Sequence, residues 1–414
     1  MLAALARPET LGRGRLTGTP MARSPRLVPV ATFFASFAWS FVFVSLPFYI
    51  QRLSALDDAA TLRWTGWIVG ITSLVTVLTA PLWGRLAERG NPKRCYVLVE
   101  SLQGIGFFGV ASARTLGELF FARFVLGFMG ASSTFAFMLA GRAQDAGEVR
   151  RQVAFIQAAL TVGGVIGPLA GAIAAARFGF RASFVLGGLI LLGCAGLVYW
   201  GVAVPREPEG GRTGKRQLRV GDVAIAAVIV LVGSTQLFFL APVLPQVLAD
   251  LGVEAADTLE IGGVVIFASS AAAALGAFAA PQVVQLASER RLLATLLVAS
   301  SVFMAALGAV RSVWAYTLVR FIQVLFIAPV FPLVVARIAQ HAGGDVIGLV
   351  NSARIAAAFV GPVLATSVLA WTSPPAVYLL MAALGPACLP LVALPSPADR
   401  GKRPPGTRRA IRPP

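Results

Sequence analysis

The sequence predicts an all-α integral membrane protein with twelve transmembrane helices in two pseudo-symmetric six-helix bundles. Three observations support this prediction. Hydrophobic residues make up 57% of the 414 residues and charged residues only 13%, about half the charged share of an ordinary soluble domain. Uncharged apolar stretches recur along the whole chain, and short motifs of its first half return in its second half.

Each apolar stretch is long enough to cross a bilayer core about 30 Å thick, which takes about 20 residues of helix. The connections between the stretches are short, so no second soluble domain fits. The predicted spans are 27–50, 64–84, 95–113, 117–140, 152–176, 181–204, 222–247, 260–283, 292–310, 313–336, 346–371 and 375–395.

The polar segments divide the chain into two halves. We expect a disordered cytoplasmic tail at 1–26, a first bundle at 27–204, a cytoplasmic linker at 205–221, a second bundle at 222–395 and a disordered basic tail at 396–414. The apolar run after the first tail is too long for a cleavable signal peptide, and we expect translation to start at Met21.

The net charge of +17 raises the question of a polyanion partner, but the positions of the charges indicate topology instead. Lys and Arg concentrate in the two tails and in the loops on the same side. The loop after the seventh span carries Asp250, Glu254, Asp257 and Glu260 without a basic residue. The positive-inside rule therefore predicts cytoplasmic termini in a multi-pass protein of the cytoplasmic (inner) membrane. We expect a lipid bilayer as its surroundings and no nucleic acid partner.

The sequence has one His and three Cys, which excludes a His-ligated metal cluster or a zinc ribbon. A His-based nucleophilic triad would have to use His341. The three cysteines lie in apolar runs, where packing is their expected role. We therefore expect no enzyme activity, no metal and no cofactor.

Four short motifs repeat in the same order at offsets of 194 to 200 residues. The pairs are Leu46-Pro47 with Leu244-Pro245, Pro81 with Pro281, Arg123-Phe124 with Arg320-Phe321, and Gly167-Pro168 with Gly361-Pro362. Such a repeat predicts two bundles related by an axis along the membrane normal, with a cavity between them at mid-membrane.

The loop after the second span reads GRLAERGNPKR from Gly84 to Arg94. It resembles the cytoplasmic loop signature of the major facilitator superfamily, with Glu88 where the family usually has Asp. The resemblance implies the major facilitator fold and a conformational latch. The latch residues would be Gly84, Glu88, Arg89, Gly90 and Arg94.

Three further motifs are similar to signatures of the same family. Arg123 to Gly127 resembles an Arg-x-x-Gln-Gly motif with Leu126 in place of Gln, and Gly179 to Phe184 resembles the start of the sixth span. The fifth span resembles the glycine-proline signature of antiporters, which implies export. Its glycines recur every four residues on one helix face, a surface for close helix packing. The packing residues are Gly163, Gly167, Pro168, Gly171, Gly361 and Pro362.

Four charged residues lie well inside the predicted spans: Glu100, Arg123, Arg320 and Arg354. A charge in a bilayer needs a partner or a wet cavity, so we place all four in the substrate or proton pathway. Two alternatives remain open. Arg123 could snorkel to the interface, and Glu100, the only deep acid, could pair with the basic loop near Arg94.

Uncharged polar and aromatic groups at membrane depth complete the predicted pathway. They are Trp39, Gln157, Gln236, Gln323 and Asn351. An apolar, aromatic cavity with few fixed charges suits a lipophilic substrate. For each Gln, interhelical hydrogen bonding is the alternative.

The chain resembles the twelve-span drug:proton antiporters of the superfamily. We expect a monomeric secondary transporter that exports small lipophilic or drug-like compounds by alternating access in exchange for protons. The first span lacks the acid that many proton-coupled exporters carry, so a specific metabolite uniporter or symporter is the alternative.

Overall fold

The computed structural model describes residues 27–89, 91–130, 132–142, 146–202, 220–285, 288–339 and 344–394. Within them, twelve helical segments are long and apolar enough to cross a membrane, which confirms the predicted spans. The second and fifth begin at Asp58 and Gly147, about six residues earlier than predicted, because polar residues continue these helices past the apolar stretch. Both predicted tails and nearly all of the predicted linker lie outside the described residues.

Eight helices form spans 1–6 and nine form spans 7–12. The first half contains α1 (Leu27–Phe43), α2 (Ser45–Leu53), α3 (Asp58–Arg89), α4 (Pro92–Ser112), α5 (Leu116–Gly127), α6 (Ser132–Ala140), α7 (Ala146–Phe178) and α8 (Phe180–Gly201). The second contains α9 (Val220–Phe238), α10 (Leu240–Asp250), α11 (Thr258–Val283), α12 (Glu289–Ala306), α13 (Val313–Ile327), α14 (Val330–Ala339), α15 (Gly344–Leu369), α16 (Pro374–Ala387) and α17 (Leu389–Ala393). A short 3₁₀ helix, Leu307–Ala309, ends span 9.

Spans 1, 4, 7 and 10 are each interrupted near the middle, so the two halves share these breaks, while span 12 has a further break between α16 and α17. Pro47 and Pro242 are the third residues of α2 and α10. A proline at this position lacks the N–H that would bond to the preceding turn and its ring clashes with that turn, which explains the breaks in spans 1 and 7. The repeated breaks agree with the internal sequence repeat.

Helix pairs within each half hold each bundle together, and two further helix pairs join the halves. In the first half, α1 packs against α7, and α4 against α8. Between the halves, α3 packs against α15 and α7 against α11. We call the membrane side on which α1 begins the terminal side, and the opposite side the distal side.

Candidate functional site

A cavity of about 320 Å³ lies within the first bundle, among spans 1–5. Only one of its lining residues, Ile355 on α15, comes from the second half. Apart from Glu100, Tyr96, Gln103 and Trp39, its polar lining consists of hydroxyl side chains. These are Thr32, Ser36, Thr72, Ser73, Thr76, Ser132 and Ser133. The accessible wall of the cavity is nevertheless mostly apolar, and the hydroxyls are polar points within it.

Glu100 is fully buried and lines this cavity. The hydroxyls of Tyr96 and Ser132 are its polar neighbours, yet neither carboxyl oxygen makes a hydrogen bond of good geometry with a described residue. Arg94 is exposed at the start of α4, and no ion pair joins it to Glu100. The alternative in which Glu100 pairs with the basic loop is therefore not the arrangement in this conformation.

Arg123 lies beside the cavity and does not snorkel to the interface. Its side chain is buried, and its guanidinium donates to the carbonyls of Ile68 and Val69 on α3 at 3.3 and 3.2 Å. It also lies 5.7 Å from the ring centroid of Trp39. The Trp39 Nε1 in turn donates to Gln103 Oε1 at 2.7 Å. Arg123 thus holds span 4 against spans 1 and 2 at the cavity wall.

The second bundle has an equivalent polar cluster. Arg320 Nη1 donates to the Gln236 carbonyl at 2.9 Å and to Gln323 Oε1, and its Nη2 donates to the Leu237 carbonyl at 3.0 Å. Ser300 Oγ donates to Gln236 Oε1 at 3.3 Å. All four polar side chains are buried and bonded to each other, which matches the alternative of interhelical hydrogen bonding. Their place in a substrate pathway remains a prediction.

The two clusters occupy matching positions of the repeat. Trp39 and Gln103 are separated by 64 residues, as are Gln236 and Ser300. Arg123 follows Trp39 of span 1 by 84 residues, and Arg320 follows Gln236 of span 7 by the same number. An offset of 197 residues therefore aligns spans 1, 3 and 4 with spans 7, 9 and 10.

At that offset, four polar residues of the cavity lining are replaced by buried apolar residues. Glu100 aligns with Leu297 and Tyr96 with Leu293. Thr32 and Ser133 align with Ile229 and Val330 in the same way, and all four apolar residues lie in one buried hydrophobic cluster. At these positions the second half therefore has a buried apolar cluster in place of the polar side chains of the first half.

Three other predicted pathway residues lie away from the cavity lining. Gln157 on α7 and Asn351 on α15 are exposed, as is Arg354. The Arg354 guanidinium lies 4.7 Å from the ring centroid of Phe331 on α14. All three occupy the halves of their helices nearer the terminal side, and Ile355, next to Arg354, does reach the cavity.

The glycines of span 5 pack directly against span 1. A Cβ added at Gly163 would lie 2.6 Å from the Phe33 carbonyl oxygen, and one at Gly167 would lie 2.8 Å from that of Phe37. Gly171 approaches the Phe41 carbonyl even more closely. In the second half, Gly361 on α15 meets the backbone of α9 and Phe239, where an added Cβ would be 3.2 Å from Phe239 N.

The two halves make close contacts on the distal side. Gly66 on α3 lies against Thr366 and the Pro362 carbonyl of α15, and Gly70 lies against Phe359. Between α7 and α11, Gly263 meets Ala172. We call these contacts the distal seam.

Two charged contacts accompany the distal seam. Arg177 Nε lies 3.8 Å from Glu260 Oε1, and the Arg63 guanidinium lies 5.5 Å from the Trp371 ring centroid. Each pair joins the first half to the second. The halves are thus closed against each other on the distal side.

The latch predicted after span 2 is described only in part. Among the described residues, no atom lies within 4 Å of a Cβ added at Gly84, so this glycine makes no close helix contact with them in this conformation. Arg94 is exposed. The side chains of Glu88 and Arg89, and all of Gly90, lie outside the described residues. Gly84 lies on the terminal side, opposite the distal seam.

Sequence comparisons match the chain to a transporter family along most of its length. The Major Facilitator Superfamily model matches residues 30–256 and 225–414. The multidrug resistance protein MdtG of Dickeya zeae (strain Ech586) is 24% identical over 373 residues, covering 85% of this chain and 89% of that protein. The uncharacterized MFS-type transporter YuxJ of Bacillus subtilis (strain 168) is 26% identical over 187 residues, and the match spans less than half of either protein, 45% of this chain and 47% of YuxJ.

Solved structures share the fold at low sequence identity. The nucleoside transporter NupG has a TM-score of 0.71 at 12% identity, covering 90% of this chain and 99% of NupG. A bacterial homolog of the human lysosomal transporter Spinster, inward-facing and unoccupied, has a TM-score of 0.68 at 14% identity, covering 89% of this chain and 93% of that one. Together with the twelve spans, the repeated broken helices and the family match, these likenesses establish that the chain belongs to the Major Facilitator Superfamily.

Proposed function

We propose that the protein exports small lipophilic or drug-like compounds across the cytoplasmic membrane by alternating access, in exchange for protons. Export is supported by the similarity to MdtG, which is named a multidrug resistance protein, over most of both chains. The glycine-proline packing of span 5 against span 1 is consistent with the antiporter signature.

Alternating access is supported by where the halves touch. The distal seam closes one side, while Gln157 and Asn351, in the helix halves nearer the other side, are exposed. With the termini in the cytoplasm, as the basic residues predict, this conformation would receive substrate from the cytoplasm. Opening the seam and closing the terminal side would then release substrate outside.

The proposal of proton exchange rests on the burial of Glu100 in the cavity. It is a buried carboxyl in the cavity, without an ion-pair partner among the described residues and with only the Tyr96 and Ser132 hydroxyls as polar neighbours. A bare carboxylate in such surroundings is costly, so the group needs a proton or another cation. Glu100 can therefore carry a proton when the site holds no substrate.

A specific metabolite transporter is the second candidate, and the cavity lining favours it. A volume of about 320 Å³ suits a compact molecule better than a large drug, and the hydroxyl groups in the wall can bond to the polar groups of a metabolite. The nucleoside transporter NupG shows that the same fold accommodates such a substrate class.

The test compares dye and metabolite accumulation in cells with and without the protein, before and after a protonophore. We expect lower accumulation with the protein, restored by the protonophore and by Glu100→Gln. Glu254→Gln, an exposed loop carboxylate, is the matched control and should export normally. Equal accumulation in all cells would contradict export, and a response to a single metabolite would favour the second candidate.

A further inference from the structure

Arg354 differs from the other two arginines inside the predicted spans, because neither a hydrogen bond nor an ion pair joins it to a described residue. Arg123 and Arg320 both donate to backbone carbonyls of a neighbouring span. The Arg354 guanidinium instead lies over the ring of Phe331, and the side chain is exposed. A guanidinium has five N–H donors, and a charge at membrane depth needs a partner or water. Arg354 therefore keeps donors available to a ligand.

The position of Arg354 on α15 directs its side chain away from lipid. It lies about 9 Å into span 11, which begins at Gly348. Leu349 is 57% exposed, as expected of a residue that faces lipid, and it is about 140° from Arg354 around the helix. Gly361, which packs against the backbone of α9, is only about 20° away. Arg354 therefore points into the cleft between the halves, which Ile355 also faces.

The internal repeat indicates that packing does not require a charge at this position. The offset of 194 residues that relates Pro168 to Pro362 aligns Arg354 with Leu160. Leu160 lines the cavity of the first bundle. The second half thus has a positive charge where the first half has an apolar side chain that faces a cavity.

The surroundings of Arg354 combine this charge with an amide and an apolar surface. Asn351 lies three residues earlier on a neighbouring part of the same helix face and is also exposed. Phe331 and Ala353 pack against the buried apolar cluster of the second half. The Phe331 ring lies 4.7 Å from the guanidinium carbon, on one face of the group. The edge of a guanidinium can donate two parallel hydrogen bonds to a planar carboxylate.

We propose that Arg354 binds the carboxylate of an amphipathic organic acid in the cleft, while the apolar body of the ligand contacts Phe331 and its apolar neighbours. The distal seam closes the other side, so the ligand enters from the terminal side. This inference rests on the proposed function and adds an acid-bearing class to its substrates. Compounds without an acid group do not use this site, which is separate from the cavity of the first bundle.

The experiment measures binding to the purified full-length protein in detergent by calorimetry, with three probes of one skeleton. These are 4-phenylbutyrate, neutral 4-phenylbutyramide and neutral 4-phenylbutanol, all at pH 7.5. We expect the carboxylate to bind at least about tenfold more tightly than either neutral probe. The reason is that a bidentate bond between two charged groups is stronger than a bond between neutral groups.

Variants of the arginine separate its charge from its shape. Arg354→Gln should bring the carboxylate within about twofold of the amide, because the positive charge is gone. Arg354→Lys keeps the charge without the planar pair of donors, so its preference for the carboxylate should be intermediate. Arg311→Gln, at an exposed arginine in the loop after span 9, is the matched control and should bind all three probes as the unmodified protein does.

Equal affinities for the carboxylate and the amide on the unmodified protein would overturn the proposal, whether or not the variants fold. A carboxylate preference that persists in folded Arg354→Gln protein would overturn it as well. Binding as expected without transport in liposomes would contradict the proposed function and leave the carboxylate site standing. Dye export without any preference for the carboxylate would have the reverse meaning.

Discussion

Gly66→Ala should shift the protein toward a conformation that is open on the distal side. A Cβ at this position would lie 3.0 Å from the Pro362 carbonyl oxygen and 3.1 Å from the Val363 Cα. It would also overlap the Thr366 hydroxyl oxygen, which is buried and hydrogen-bonded to the Pro362 carbonyl. The clash exists only while α3 and α15 touch. The substitution therefore raises the free energy of the state in which the distal seam is closed and leaves that of the open state unchanged.

The size of the effect follows from the cost of overpacking. Inserting a methyl group into a tight contact costs about 1–3 kcal/mol, which changes a two-state equilibrium by about 5- to 150-fold. If the distal-open state is occupied about 1% of the time, its share would rise to roughly 5–60%. Thr366→Ala removes the overlapping hydroxyl and should reverse part of the shift.

The assay is the distance between spin labels on two exposed residues of the distal side, one in each half. Leu56 precedes α3 and Thr372 follows α15, and both can be replaced by labelled cysteines, since the three native cysteines are buried. Gly66→Ala should increase the long-distance population. Gly117→Ala is the matched control, because no atom lies within 4 Å of its added Cβ.

Equal distance distributions for Gly66→Ala and Gly117→Ala would refute the reasoning, provided that the Gly66→Ala protein remains folded. So would a shift that Thr366→Ala fails to reduce by any measurable amount. Gly70→Ala meets the backbone and ring of Phe359 instead, with distances of 3.1 and 2.9 Å. It should open the seam as well, but without relief from Thr366→Ala.

Three further predictions concern helix packing and the buried arginines. Gly171→Ala should lower thermal stability by about 1–3 kcal/mol because its Cβ meets the Phe41 carbonyl, whereas Gly193→Ala, with open space around it, should melt unchanged. Arg320→Ala should reduce the melting temperature in detergent because it leaves two carbonyls of span 7 without their donor; an unchanged melting curve would show that this network adds no stability. Arg123→Ala should impair transport in liposomes while membrane insertion, measured by fractionation, stays normal; normal transport would remove Arg123 from the mechanism.

The membrane fold follows directly from apolar stretch length. A helix that crosses a bilayer has no water to bond its backbone, so each span must be long, continuous and apolar. That requirement made the twelve spans predictable to within a few residues at most ends. The repeated motifs then predicted two related halves.

The interruptions of spans 1, 4, 7 and 10 were not predicted, because an apolar stretch has the same composition whether its helix is straight or broken. Pro47 and Pro242 carried a usable signal, since a proline inside an apolar stretch favours a break in its helix. Span 4 has no proline, and its break near Gly127 became visible only in three dimensions.

The site was predictable only in part. Glu100 was identified because it is the one acid deep within a predicted span. The hydroxyl residues around it were missed, because Ser and Thr commonly bond to their own helix backbone and hence give little indication of a site. Aligning Glu100 with Leu297 and Thr32 with Ile229 would have shown from sequence alone that these positions are polar in the first half and apolar in the second.

The most direct test of the account is transport by the purified protein in liposomes with an imposed pH gradient. Labelled phenyltrimethylammonium and ethidium suit this measurement, since both are permanently charged and cannot cross the bilayer as neutral bases. We predict cation movement against the proton flow, stopped by collapsing the gradient and by Glu100→Gln but not by Glu254→Gln. Cation movement that does not depend on the pH gradient, or that Glu100→Gln leaves unchanged, would contradict proton-coupled export through this carboxyl.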